Sequence, residues 1–330
     1  MARPSEDDLI ARYFRPLATS AGAFQLKDDC ATLKAEPGEE LVLKTDAVAE
    51  GIHFFPNDNW HHVAQKALRV NLSDLAAKGA TPAGYLLSLA LPEQWSETQL
   101  ADFTAGLAED QTTFNVSLLG GDTIRSPKGL VITITVIGRV AEGRVARRGG
   151  AQAGDRLYVS GTIGDSALGL MLRLMPDAAQ AGGIAPDNVD FLIDRYLLPR
   201  PRVGLIQAVS ACAHGAMDVS DGLILDATRM ARASGVDIEI DITAVPLSAA
   251  AREIVATDAT CLPRALTGGD DYELLLSIPP DTVTQFEAMA ADAQIPVTPI
   301  GRVIAGDGTV RLLDTDGHEV TFTGGGFQHF

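Results

Sequence analysis

The chain has 330 residues, is 46% hydrophobic and carries a formal net charge of −17, which gives it apolar material for two domains of ordinary size. The acidic surplus argues against nucleic acid and anionic membrane as partners, because both require basic patches. No apolar run approaches the ~18 residues of a membrane span.

The first eight residues are polar and acidic and lack the apolar stretch of a signal peptide. Three cysteines, Cys30, Cys212 and Cys261, form no CxxC pair, so neither a disulfide frame nor a zinc site is expected, and a reducing, cytoplasmic setting is. Residues 6–14 read as a short helix, 27–33 as a polar turn running into a strand, and 40–45 as a second strand. Helical periodicity over 58–77 places Val63, Ala67, Val70, Leu72 and Leu75 near one face, and Gly79 stops it. A strand is expected at 84–91, a helix at 96–114 with Ser96 as N-cap, and a strand at 116–119 that ends in Gly120-Gly121-Asp122. Residues 130–140 alternate Val or Ile with Thr, as a half-buried strand does.

Between 143 and 155 the chain turns glycine-rich and basic, a boundary that divides it into an N-terminal domain over 1–148 and a C-terminal domain over 149–330. Beyond it, strands are expected at 156–160, 216–219, 236–241 and 272–278, helices at 165–175, 202–213, 221–234 and 281–292, and hairpins from 301 to 323. Strands and helices mix in both halves, which gives an α/β or α+β class.

The informative pattern is the position of the aspartates. Asp28-Asp29, Asp46, Asp74, Asp122, Asp218, Asp221 and Asp270-Asp271 are each expected at a strand end, a helix end or a glycine turn, often beside Ser, Thr or Gly. Asp and Gly favour turns for conformational reasons alone. Carboxylates are also the ligands that Mg²⁺ prefers, and glycines let main-chain N–H groups approach phosphate. An anionic ligand such as ATP would need such cations in a chain this acidic. No GxxxxGK[ST] loop, protein-kinase set or EF-hand loop occurs. The turn Gly161-Thr162-Ile163-Gly164-Asp165, opening a helix, is either an anion cradle or a plain helix start.

Seven segments, taken in order, resemble the thiamine-monophosphate kinase family, within the superfamily of aminoimidazole ribonucleotide synthetase, selenophosphate synthetase and the hydrogenase maturation protein HypE. They are Lys27-Asp28-Asp29-Cys30-Ala31, Thr45-Asp46 through Glu50-Gly51-Ile52-His53-Phe54, Val70-Asn71-Leu72-Ser73-Asp74, Gly120-Gly121-Asp122-Thr123, Ser160 through Ala167, Met217-Asp218-Val219-Ser220-Asp221-Gly222-Leu223, and Gly268-Gly269-Asp270-Asp271-Tyr272-Glu273-Leu274. Asn-Leu-Ser-Asp and Gly-Gly-Asp-Thr are shared across the superfamily; the Thr45–Phe54 segment and Gly-Gly-Asp-Asp-Tyr-Glu-Leu resemble the thiamine-phosphate branch. The chain lacks the reactive Cys or selenocysteine segment of the selenophosphate branch.

The resemblance implies a two-domain aminoimidazole ribonucleotide synthetase-like fold, with the N-terminal sheets of two chains pairing in a homodimer. It implies Mg²⁺-dependent transfer of the ATP γ-phosphate to thiamine monophosphate. Carried over by position, Asp29, Thr45, Asp46, Asp74, Asp122, Asp218 and Asp221 match metal ligands. Gly121, Asp122, Arg147 and Ser220 match ATP contacts, and His53, Asp270 and Phe327 match positions that hold thiamine monophosphate. Asp74, Asp122, Arg147 and Asp218 are the expected catalytic set. Three positions depart from the pattern: Lys27 stands where Gly is common, Lys44 where a small hydroxyl residue is common, and Asp270 where Glu is common. The Lys44 ammonium cannot ligate a metal. Two other readings remain open at this point: another ATP-using enzyme of the superfamily, and a nucleotide or thiamine sensor without activity.

Overall fold

The computed structural model describes residues 5–322. They fall into two units, one made of the chain up to Leu75 with Ala80–Gly143, the other of Ala76–Gly79 with the chain from Arg144 onward.

The first unit opens with α1 (Glu6–Leu9), which a π turn extends over Ile10–Phe14. There follow β1 (Glu39–Ala49), α2 (Trp60–Ala77), β2 (Thr81–Pro92), α3 (Glu97–Phe114), β3 (Leu118–Ser126) and β4 (Val131–Ala141). The strands form one sheet in the order β1-β4-β2-β3, with only β2 and β3 parallel. Ser96 caps α3 as expected, and Gln99 completes a capping box with it. Along β4, Ile132, Ile134 and Val136 are buried while Thr133, Thr135 and Ile137 are half-exposed, the two-residue period of a sheet with one face covered. Tyr85, Leu87 and Leu89 of β2 lie across from those buried residues, and Gln111 of α3 donates to the Tyr85 hydroxyl. The opposite face leaves Leu41, Leu43, Leu86 and Ile124 exposed.

Two expectations fail here for identifiable reasons. Residues 27–33 contain no strand; the Thr32 N–H donates to the Gly22 carbonyl at 2.8 Å, and no ladder follows. The strand expected to stop at Gly120 instead runs through Gly120-Gly121-Asp122 to Ser126. A Cβ on Gly121 would lie 1.8 Å from the Leu87 carbonyl oxygen of β2, so the glycine marks a close approach of two strands rather than a turn.

The second unit contains β5 (Arg156–Ser160), α4 (Asp165–Leu174), α5 (Pro176–Gly182), α6 (Pro186–Leu197), α7 (Ile206–Cys212), β6 (Gly215–Val219), α8 (Leu223–Ser234) and β7 (Val236–Asp241). It continues with α9 (Ala249–Thr257), α10 (Cys261–Thr267), β8 (Glu273–Ile278), α11 (Val283–Asp292), β9 (Val297–Ala305), β10 (Val310–Leu313) and β11 (Glu319–Val320). Its sheet has the order β11-β10-β7-β9-β5-β8-β6, with β10 parallel to β7 and the other pairs antiparallel. The central strands are apolar on both faces because helices cover both. Leu157, Val159 and Leu275 pack with Leu223, Ala227 and Met230 of α8. Tyr158, Leu274 and Leu276 pack on the other side with Val209 of α7 and Phe286 of α11. The sequence reading assigns nothing to 176–201 and 242–267, where α5, α6, α9 and α10 lie; α6, α9 and α10 share a separate apolar cluster with α4.

Overpacking a strand pair costs about 1–3 kcal/mol or more. Gly121→Ala is therefore expected to lower the melting temperature by several degrees, read by circular dichroism, whereas Gly120→Ala, whose Cβ would meet only the Leu86 side chain at 3.5 Å, serves as the mild comparison.

Candidate functional site

In the first unit a buried amide sets the geometry. Asn71, on α2, accepts the Asp46 main-chain N–H on its Oδ1 at 2.9 Å and donates from its side-chain nitrogen to the Ala67 carbonyl at 3.0 Å. This ties β1 to α2 at one point. Asp46 lies on β1 beside that tie, and Asp74 lies one helical turn beyond Asn71. Between the two carboxylates stands Lys44, whose Nζ is 3.2 Å from Asp46 Oδ2 and 2.9 Å from Asp74 Oδ2. Burial alone would depress the lysine pKa, but the carboxylates of Asp74 and Asp46 outweigh it and hold the ammonium above its ordinary value.

Strand alternation sends neighbouring residues elsewhere. The Thr45 side chain lies on the exposed sheet face, where its hydroxyl donates to the Ile134 carbonyl and accepts from Thr135, so only main-chain atoms of Thr45 face toward Lys44 and Asp46. Asp122, opposite Ser88 in the β2–β3 register, is on that same exposed face, and its carboxylate accepts the Thr123 N–H at 2.8 Å. Asp29 is exposed on the connector before β1. Asp46 and Asp122 thus sit inside strands, not at the strand end and glycine turn the sequence suggests, whereas Asp74 lies in the last turn of α2, at the expected helix end. His53, in the turn that closes β1, accepts the Ala49 N–H on Nδ1 at 3.1 Å, which assigns the ring proton to Nε2 and leaves a neutral imidazole that donates from that atom.

The second unit brings three of the sequence segments together. Asp218 is the last residue but one of β6 and is buried, and the chain then turns through Ser220 and Asp221 into α8. Asp226, in the first turn of that helix, accepts the N–H groups of Ser220 at 3.0 Å and Asp221 at 2.9 Å, and Arg229 bridges Asp226 and Asp221. The 268–272 segment clasps the same turn: Asp270 N–H donates to the Ser220 carbonyl at 2.8 Å, and Tyr272 N–H to the Val219 carbonyl at 2.9 Å. Asp270 and Tyr272 both hold left-handed backbone, with φ of 69° and 51°, strain of a kind that clusters at functional sites. Next to it, Asp271 accepts N–H groups of Gly164 at 2.7 Å and Ser166 at 3.2 Å, at the start of α4. The anion held by the Gly161–Asp165 turn is therefore the protein's own carboxylate. Burial pushes the pKa of Asp226 up and that of Asp271 well up, against the lowering effect of these donors. Behind the clasp, fully buried Glu273 accepts from Ser160, Arg195 and Arg202.

Arg147 is exposed, and its main chain pairs with Gly215 at the start of β6, three residues before Asp218. Phe327 lies outside the described residues. In the sequence Asn71 stands out only as part of a segment and Asp271 only as one of the acidic turns; Asp226 belongs to no segment, and its one signal is a carboxylate in the first turn of a helix.

Among the described residues, the only three or more His, Cys, Asp or Glu ligand atoms within 4.8 Å of one another belong to Asp314, Asp316 and His318. There Asp314 accepts the N–H groups of Asp316 and His318, an ordinary turn between β10 and β11. The expected metal ligands form no closed cage. Their donor set nonetheless fits a hard divalent ion: it is all oxygen, and at Asp46 and Asp74 a cation, the Lys44 ammonium, already stands between two carboxylates. No described helix is long and apolar enough to cross a membrane.

Comparison with known proteins places this geometry. The family model "AIR synthase related protein, N-terminal domain" matches residues 27–140, and "AIR synthase related protein, C-terminal domain" matches residues 152–313. The thiamine-monophosphate kinase of Caulobacter vibrioides is 40% identical over 99% of this chain and 92% of that protein. The crystal structure of thiamine-monophosphate kinase from Stenotrophomonas maltophilia K279a superimposes with a TM-score of 0.79 at 37% identity, covering 89% of this chain and 91% of that one. The structure of AaThiL complexed with AMPPCP and TMP gives a TM-score of 0.78 at 32% identity over 100% of this chain and 99% of that one. The chain belongs to the thiamine-monophosphate kinase family of the AIR synthase related proteins.

Proposed function

We propose that this protein is an ATP-dependent kinase that phosphorylates thiamine monophosphate, giving thiamine diphosphate and ADP. The observation that carries the reading is the end-to-end likeness to AaThiL, a protein whose structure holds AMPPCP and TMP.

The acceptor explains the residues. A phosphomonoester with a second pKa of ~6 is mostly dianionic at neutral pH, so its oxygen is a ready nucleophile and no strong general base is needed. The obstacle is bringing that anion to the γ-phosphate of ATP, and the remedy is positioning with positive charge. Magnesium ions, when bound, would neutralise both anions and polarise the transferred phosphoryl group. In the N-terminal unit Asp46 and Asp74, with Asp29, Asp122 and a main-chain oxygen of Thr45, are the candidates to hold them. In the C-terminal unit the candidates are Asp218 and Asp221. Asp226 spends its oxygens on the Ser220 and Asp221 N–H groups and on Arg229, which keeps the 218–222 turn in one shape. Gly121, Asp122, Arg147 and Ser220 are proposed to contact ATP, and Arg147 to add positive charge at the transferred group. His53 would donate from Nε2 to a phosphate oxygen. Asp270, with Phe327, suits the cationic aromatic body of thiamine. In domain terms, 1–148 would supply the ATP, metal and dimer contacts and 149–330 the remaining ATP and substrate contacts. A homodimer formed through the exposed face of the N-terminal sheet is part of the proposal, supported by Leu43, Leu86 and Ile124 on that face.

Two outcomes are expected in a coupled ADP-release assay. With Mg-ATP the full chain releases ADP when thiamine monophosphate is added and none when thiamine is added, since thiamine lacks the phosphate nucleophile; equal rates with thiamine would refute the acceptor assignment. Asp74→Asn loses about 10²-fold or more in kcat, the scale of removing one group that stabilises transition-state charge, with an unchanged circular dichroism spectrum. A near-normal rate would remove Asp74 from the machinery.

A further inference from the structure

The backbone spacing between Asp46 and Asp74 does not depend on the lysine that sits between them. It is fixed by Asn71, buried at 1% exposure, through its bonds to the Asp46 N–H and the Ala67 carbonyl. The paired carboxylates therefore define a place for a cation by themselves. In this chain Lys44 fills it: its Nζ lies 3.2 and 2.9 Å from one oxygen of each carboxylate, and its side chain is 33% exposed. A divalent ion would claim the same two oxygens at ~2.0–2.1 Å, so ammonium and metal ion cannot occupy the place together. The ammonium brings one positive charge where the metal brings two, and it is attached to the chain.

We infer that Lys44 is a resident counter-ion of the metal site, its ammonium occupying the position between Asp46 and Asp74 where a divalent ion would bind, so that metal binding to this pair is weakened by the need to expel it. The inference rests on the proposed reading of Asp46 and Asp74 as metal ligands and assigns Lys44 a tuning role toward them. Two consequences are built into the geometry. The ammonium offsets the repulsion between the two carboxylates in the metal-free protein, while Asn71 keeps β1 and α2 aligned before any ion arrives.

The test is a Mn²⁺ titration of the full chain without nucleotide, with free Mn²⁺ read by its electron paramagnetic resonance signal. Lys44→Ser is expected to bind one more Mn²⁺ per chain than the unaltered protein, or to bind one ion at least tenfold more tightly. Lys44→Arg keeps the cation and is expected to match the unaltered protein. Adding Asp74→Asn to Lys44→Ser is expected to remove the gained ion. An unchanged count with less than a tenfold gain in affinity overturns the inference, as does an equal gain in Lys44→Arg. If circular dichroism shows that Lys44→Ser does not fold, Lys44→Gln carries the same comparison. Phosphorylation of thiamine monophosphate by the unaltered protein is scored separately; its absence alongside a gained ion would remove the activity reading and leave the counter-ion role standing.

Discussion

Side-chain oxygens bonded to main-chain N–H groups hold the rest of the site in place. Asn71 does this for Asp46, Asp226 for Ser220 and Asp221, and Asp271 for Gly164 and Ser166. Each of the three is buried, and a buried polar group is costly unless its hydrogen bonds are made. Once they are made, the backbone they hold has few alternatives. The outcome is a division of labour among similar residues: one set of carboxylates and amides shapes the chain from within, and a second set, Asp46, Asp74, Asp221 and Asp270, is held at the surface of those shapes. The Glu273 cluster with Arg195 and Arg202 extends the frame. Such buried ion networks add little net stability, because the cost of desolvating the charges offsets much of their attraction.

This frame suits a reaction in which the protein supplies little covalent chemistry. Two anions must be brought together by a chain that is itself strongly acidic, and a carboxylate surface favours that only when cations intervene. The structure already contains one small instance of that principle in the Lys44 ammonium between Asp46 and Asp74. The left-handed backbone at Asp270 and Tyr272 belongs to the same logic: the 268–272 segment is bent so that its N–H groups meet the carbonyls of Val219 and Ser220, and the strain is offset by those bonds.

Much of the architecture was legible in the sequence because periodicity reports burial. The alternation of β4, the apolar face of α2 and the Ser96 cap each have one simple structural solution. The strand β3 was misread because Gly-Gly signals a turn in isolation, whereas here the second glycine accommodates the main chain of β2, a contact made by a segment more than thirty positions away. The segments rich in Asp pointed to the right chemistry but not to its distribution. Nothing in spacing shows that Asp122 and Thr45 project to one face of a sheet and Asp46 to the other, since that follows from strand register. Lys44 was visible as a departure, but its two partners depend on a helix packing beside β1. Asp271 stands among the acidic turns without its role being legible, and Asp226 does not stand out at all, because a carboxylate that binds backbone looks, in sequence, like one that binds metal.

The most direct test of the account follows phosphorus. A ³¹P NMR time course of the full chain with Mg-ATP and thiamine monophosphate should show the monophosphate resonance replaced by the two coupled resonances of thiamine diphosphate as ADP appears, and no change when a chelator is present. If the folded protein leaves both ATP and thiamine monophosphate untouched under those conditions, the acidic framework serves a different acceptor or no phosphoryl transfer at all, and the account is wrong at its centre.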